Sequence, residues 1–170
     1  MKTTINCFLP FSRLEETMRT VKELRASTLV DKIYLLASPI TNVCIPRCEL
    51  ISVEKMQSTQ AMRAIAEHSD KAYTLVYTKR TALRLGMFAL ERMVQVMEMT
   101  QAGMVYADHY QQMDDVLKPA PVIDYQPGSL RDDFDFGSVL LFNANTFKEA
   151  IKDTEEEYQY AGLYDLRLKI

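Results

Sequence analysis

A chain of 170 residues with 48% hydrophobic content has about one domain's length and an ordinary globular composition, neither a long repeat array nor a disordered tail. Its 20 Lys+Arg against 23 Asp+Glu leave a net charge of −3 with no basic run able to follow a phosphate backbone, which argues against nucleic acid as a partner. No stretch reaches the roughly 18 apolar residues of a membrane span, and the apolar run from Ile5 to Phe11 is too short, and too soon broken by Arg13, for a signal peptide. Cys7, Cys44 and Cys48 are odd in number and read as reduced thiols, so a cytoplasmic chain is expected. Zinc is not expected either, because His68 and His109 lie singly and away from the cysteine pair.

In chain order, Thr4 to Leu9 reads as an apolar strand stopped by Pro10, whose missing N–H ends ladder pairing. Ser12 and Glu15 stand at capping-box spacing, and Leu14, Met18, Val21 and Leu24 recur at helical intervals. Lys32 to Ala37 is apolar nearly throughout, as in a strand buried on both faces. Two prolines make Ser38 to Arg47 a loop, and Leu50 to Val53 a short strand. A helix is predicted from Ser58 to His68, a buried strand over Tyr73 to Tyr77, a longer helix from Leu85 to Thr100 and a strand over Gly103 to Ala107. Such alternation predicts a parallel, doubly wound α/β sheet.

The charge then changes sign. Residues 1–110 carry 14 basic and 11 acidic residues, net +3, whereas residues 111–170 carry 6 and 12, net −6. Strands are predicted at Val122 to Tyr125 and Ser138 to Phe142, flanking a polar loop over 126–137. A helix follows from about Thr146 to Tyr158, with Thr146 and Glu149 in a second capping box, and another from Leu163 to Ile170. A pattern that stops within an amphipathic helix leads us to expect further residues after Ile170 of this single domain.

In open parallel sheets the ligand crevice lies outside the carboxyl ends of the strands. The segments there are Pro10-Phe11-Ser12, Ser38-Pro39, Thr78-Lys79-Arg80-Thr81 and Asp108-His109-Tyr110, none of them a glycine-rich phosphate loop. Dinucleotide oxidoreductases and P-loop NTPases are therefore disfavoured. Ser12 at a helix N-terminus offers backbone N–H groups to an anion, or simply caps the helix. Asp108-His109 has the composition of an acid–base pair, although neighbours in a strand point to opposite faces.

The strand ending Leu9-Pro10-Phe11-Ser12, the Ser58-to-Ala66 helix, the strand Gly103 to Asp108 and the closing Tyr164-Asp-Leu-Arg-Leu168 together resemble the nucleotide-binding part of family 2 glycosyltransferases. The resemblance implies a GT-A fold, an α/β three-layer sandwich with a mostly parallel central sheet, and transfer of a sugar from a nucleoside diphosphate to a saccharide, lipid or protein acceptor. It places Pro10, Phe11 and Ser12 beside the nucleoside base, Ser38 near the base or ribose, and the Ser58–Arg63 turn toward the base or diphosphate. This sequence departs from the family at three acidic positions. Ala37-Ser38 replaces an acidic residue, Thr78-Lys79-Arg80-Thr81 stands where the metal-binding Asp-x-Asp is usual, and Gly162-Leu163 stands where Glu-Asp supplies the catalytic base.

Two accounts keep chemistry open. Lys79 or Arg80 would neutralise the leaving diphosphate in place of a metal, since a unit charge pair at 4 Å is worth about 4 kcal/mol at an effective dielectric near 20. Alternatively, Asp133-Phe-Asp135, next to Asp132, reproduces the Asp-x-Asp spacing and would take Mg²⁺ or Mn²⁺, provided other oxygens complete the shell. The expected donor-binding set is thus Pro10, Phe11, Ser12, Ser38, Arg63, Thr78, Lys79, Arg80 and Asp108, with Asp133 and Asp135 as catalytic candidates. The competing reading is a non-catalytic nucleotide-sugar-binding or scaffold module.

Overall fold

The computed structural model describes residues 4–114, 116–126 and 134–170. The elements are β1 (Ile5–Pro10), α1 (Leu14–Arg25), β2 (Val30–Ala37), β3 (Cys48–Ser52), α2 (Thr59–His68), β4 (Tyr73–Tyr77), α3 (Ala89–Thr100), β5 (Met104–Val105), β6 (His109–Met113), β7 (Val116–Ala120), β8 (Val139–Asn143), α4 (Ala144–Lys152) and α5 (Gly162–Lys169). Six strands form one sheet in the order β3-β2-β1-β4-β8-β5, while β6 and β7 pair as a separate hairpin. The first four strands are mutually parallel, and β8 lies antiparallel between β4 and β5.

The central strands are largely apolar because both of their faces are covered, with Asn6 and Thr74 as buried polar exceptions. Phe8, Tyr34, Val76 and Phe142 face Met62 and Ile65 of α2, Phe147 of α4 and Leu166 of α5. On the opposite face Cys7, Leu9, Leu35, Leu75 and Leu141 meet Val21 and Leu24 of α1 and Leu90, Met93 and Met97 of α3. The result is the expected three-layer, mostly parallel sandwich, with the antiparallel β8 departing from the fully parallel sheet that the alternation alone predicts. Buried Asn6 donates from Nδ2 to the His68 carbonyl at 2.9 Å and to Asp70 Oδ1 at 2.6 Å, fixing the end of α2 to β1, while its Oδ1 is buried without a partner among the described residues.

Several boundaries differ from the predicted ones, and each difference has a hydrogen-bonding cause. Helix α1 is entered through Arg13 rather than Ser12, because the Ser12 N–H donates to Thr17 Oγ1 at 3.2 Å and no capping box forms. Helix α3 begins at Ala89, not Leu85, because the N–H groups of Ala82, Leu83 and Leu85 donate to side chains of α1. Helix α4 begins at Ala144, where Asn143 Oδ1 accepts from Asn145 and Thr146.

That helix ends at Lys152 because the following backbone acceptors are engaged elsewhere. The Thr154, Glu156 and Tyr158 carbonyls accept from Arg63, Thr59 Oγ1 and the Thr59 N–H respectively. No strand forms over Val122 to Tyr125: the Val122 N–H donates to Asp108 Oδ1 and the Ile123 carbonyl accepts from Tyr106 Oη. The hairpin of β6 and β7, turning through Asp114 at φ 46°, has no counterpart in the sequence reading.

Candidate functional site

The chain runs from β1 outward through β2 and β3, then returns to place β4 on the other side of β1. The topological switch point therefore lies at the carboxyl ends of β1 and β4, where open α/β sheets form their crevice. A cleft of about 570 Å³ opens there, reaching from the ends of β1 and β2 to the segment after β4. Pro10, Phe11, Val53 and Met56 supply its apolar wall, and Ser12, Ser38, Thr41 and Thr81 its hydroxyls. Its charged groups are Arg13, Arg80, Glu16 and Glu54. A flat apolar wall beside hydroxyl donors and two guanidiniums suits a ligand that combines a ring with an anionic group.

Local bonding builds the rim. The Phe11 N–H donates to the Leu36 carbonyl at 2.8 Å, extending the β1–β2 ladder one residue past the strand, while the Thr41 N–H donates to the Ser38 carbonyl at 2.8 Å and turns the chain beside it. The segment after β4 is strapped to α1. Glu16 Oε2 accepts from the Ala82 N–H at 2.7 Å, Thr20 Oγ1 from Leu83 at 3.0 Å and Glu23 Oε1 from Leu85 at 2.9 Å. Tyr77 Oη donates to the Thr81 carbonyl at 3.0 Å, and burial pushes its phenol above the ordinary range, keeping it a donor. These four contacts hold Arg80 and Thr81 at the cleft, and Arg80 makes no ion pair with any described residue.

The structure thus gathers Pro10, Phe11, Ser12, Ser38 and Arg80, and leaves Arg63, Thr78, Lys79, Asp108 and Asp135 outside the cleft lining. Arg63 is directed instead to the 154–157 segment, where it pairs with Glu157 and donates to the Thr154 carbonyl at 3.2 Å. Thr78 joins β4 to β8, its N–H and Oγ1 both donating to the Ser138 carbonyl. Lys79 is exposed, next to the lining rather than part of it. The carboxylate of Asp108 is occupied by Val122, so it does not orient His109. Nor is the Ser12 N–H free for an anion, since Thr17 takes it, and Glu15 and Glu16 make the first turn of α1 acidic.

Asp132 and Asp133 lie outside the described residues, whereas Asp135 is exposed, with Oδ1 accepting from the Gly137 N–H at 2.8 Å. Among the described residues no three acidic, His or Cys side chains converge, and of the two cleft carboxylates Glu16 is already bonded to Ala82. A hard divalent cation takes about six to eight oxygens, so these residues do not fit Mg²⁺ or Mn²⁺. Sequence reasoning missed Arg13, Glu16, Thr41 and Glu54. The signal available for Glu16 was the spacing Glu16–Thr20–Glu23, a polar stripe on one side of α1.

The place where the resemblance puts Glu-Asp is filled by packing. A Cβ on Gly162 would lie 2.4 Å from Thr59 N and 2.5 Å from Ser58 C, while the Gly162 N–H donates to the Gln57 carbonyl at 2.7 Å. Leu163 is buried in the core with Leu166. The backbone of α5 therefore rests directly on the start of α2, and neither position has room for an acidic side chain.

Comparison with solved structures places this fold. The chain is similar to a 4-diphosphocytidyl-2C-methyl-D-erythritol synthase (12% identity, 99% of this chain and 85% of that one, TM-score 0.53). It is similar also to the 2-C-methyl-D-erythritol 4-phosphate cytidylyltransferases of Thermus thermophilus (12%, 96% and 85%, 0.54) and Francisella tularensis (10%, 98% and 82%, 0.52). The chain thus shares the fold of these solved structures, an α/β sandwich with a mostly parallel six-stranded sheet. No family model and no curated protein matches the chain, so membership of family 2 is not carried beyond resemblance. No helix among the described residues is long and apolar enough to cross a membrane.

Proposed function

We propose that this chain binds a nucleoside-diphosphate sugar in the switch-point cleft and transfers the sugar to a saccharide, lipid or protein acceptor without relying on a divalent cation. The observation that carries this reading is Arg80, strapped at the carboxyl end of β4 opposite the Pro10–Phe11 wall and free of an internal ion pair among the described residues. Breaking the sugar C1–O bond leaves negative charge on the diphosphate, and a preorganised guanidinium stabilises that charge as it develops. The nucleoside ring would lie on Phe11 and Met56, with Ser38 and Thr41 toward its polar edge. Asp135, with one oxygen not engaged by Gly137, is the described candidate for receiving the acceptor's proton, and Asp133 is its partner in the sequence motif.

A second reading, a nucleotide-sugar-binding module without turnover, is favoured by Gly162 and Leu163, which stand where the resemblance puts an acidic pair. The cytidylyltransferase names of the structural neighbours raise nucleotidyl transfer as a third chemistry on this fold. Thermal titration with UDP-, GDP- and CDP-sugars, each with Mg²⁺ and with EDTA, tests binding. A ligand at 100 times its Kd adds about 2.7 kcal/mol, and the reading expects that gain to survive EDTA. Product analysis then separates the chemistries: glycosyl transfer releases nucleoside diphosphate, nucleotidyl transfer from a triphosphate releases pyrophosphate, and a module releases neither. Absence of any stabilisation overturns the reading.

A further inference from the structure

Away from the cleft, the side chain of Arg167 on α5 is set among aromatic rings. Its guanidinium carbon lies 4.8 Å from the centroid of Phe136 and 5.8 Å from that of Tyr164. Phe136 is itself met edge-on by Tyr106 at 5.0 Å and at a tilt of 48° by Phe134 at 4.5 Å. Among these rings Nε is buried without a hydrogen-bond partner, and no hydrogen bond or ion pair joins the guanidinium to another described residue. Burial holds the guanidinium below its ordinary pKa, and the charges of Tyr164 and Asp135 oppose that shift. Asp135 acts only through space: its Oδ1 accepts from Gly137, and no ion pair joins it to Arg167.

A half-buried cation without a hydrogen bond is costly, because desolvation removes its hydration and nothing internal replaces it. The neighbouring polar groups do not supply the missing acceptor. On α5 itself, Asp165 is directed to Lys169 at 2.8 Å and to Thr154 Oγ1 at 3.2 Å. Contact with the two rings holds the guanidinium in place, and a planar guanidinium whose terminal nitrogens are unpaired among the described residues is a fork suited to two coplanar oxygens. We infer that Arg167, clamped by Phe136 and Tyr164, is an anion-binding residue that receives a carboxylate or phosphate group of a ligand at the α5 side of the sheet. This site does not depend on the nucleotide reading of the cleft.

The test titrates the intact protein with inorganic phosphate and, separately, with glucuronate, using glucose as the uncharged control, and follows Tm. Saturable stabilisation by phosphate or glucuronate but not glucose is expected, and the stronger of the two identifies the group the site takes. R167Q is expected to weaken that response at least tenfold, and R167K, a point charge without the planar fork, at least threefold. Affinity for nucleotide sugars should stay within twofold of the wild type in both variants, so failure here and failure of the cleft reading are separate results. Should R167Q not fold, R167K carries the comparison alone. No saturable response in the wild type, or a response unchanged in R167K, overturns the assignment.

Discussion

Glu16, in the first turn of α1, accepts the backbone N–H of Ala82 at 2.7 Å across 66 residues of sequence. Because Thr20 and Glu23 repeat the contact with Leu83 and Leu85, one helix face orders the whole segment that presents Arg80 to the cleft. Hydrogen bonds to charged groups contribute about 1.5–3 kcal/mol each, so Glu16→Ala is expected to lower stability by about 2 kcal/mol in chemical denaturation. Amide exchange at Ala82 should accelerate with it, and nucleotide-sugar affinity should fall although Arg80 is untouched. Unchanged exchange at Ala82 would show that the segment is held by other contacts.

Arg80 and Lys79 are adjacent in sequence and unequal in position, which separates them by experiment. Arg80→Ala should weaken nucleotide-sugar binding at least tenfold, about 1.4 kcal/mol, whereas Lys79→Ala should cost less than threefold. Calorimetric titration of both variants in EDTA checks this. Full affinity in the double variant would end the idea that a cation here meets the diphosphate.

Gly162 bears on whether acidic chemistry can be restored to α5. An alanine there would place Cβ 2.8 Å from the Ser58 carbonyl oxygen and closer still to two backbone atoms, so the helix must shift. Gly162→Ala is expected to destabilise by about 3 kcal/mol, at the upper end of ordinary overpacking. Urea denaturation measures this, and a loss below about 0.5 kcal/mol would mean that α5 repacks freely. Gly162→Glu should fail to fold rather than gain turnover.

Alkaline pH should expose a different dependence. Burial raises the Cys7 thiol far above its ordinary 9.0, and the Tyr34 and Tyr77 phenols above 10.0. The native state keeps these groups protonated where the unfolded chain has lost their protons, so it binds more protons and stability falls as pH rises. The contribution is complete below pH 9 and is lost progressively above it. Thermal unfolding of wild type and Cys7→Ala between pH 8 and 11 should show a shallower decline in the variant, and parallel declines would remove Cys7 as a cause.

Much of the architecture was legible because strands such as Ile5–Pro10 and Tyr73–Tyr77 are apolar on both faces, and periodicity is strongest where burial is complete. The cleft's Pro10–Ser12 and Ser38 followed from knowing where strands end. What sequence could not give were contacts between distant side chains and backbone. Leu85 looks helical by pattern, yet its N–H belongs to Glu23. Arg63 looked available for a diphosphate, yet Glu157 takes it. Gly162 read as a lost acidic residue until its approach to Ser58 and Thr59 gave it a packing role.

The antiparallel β8 has a consequence for synthesis. Strand β4 is complete at Tyr77, but the neighbour that closes its outer edge begins only at Val139, and β5 has no partner in the sheet other than β8. While the ribosome makes the intervening stretch, the parallel half formed by β1 to β4 carries an apolar edge at Leu75 and Val76 that is open to any passing strand. The last fifth of the chain is therefore what seals the parallel half, and a nascent polypeptide halted before Val139 is the species that chaperones and proteases will meet with its sheet unfinished.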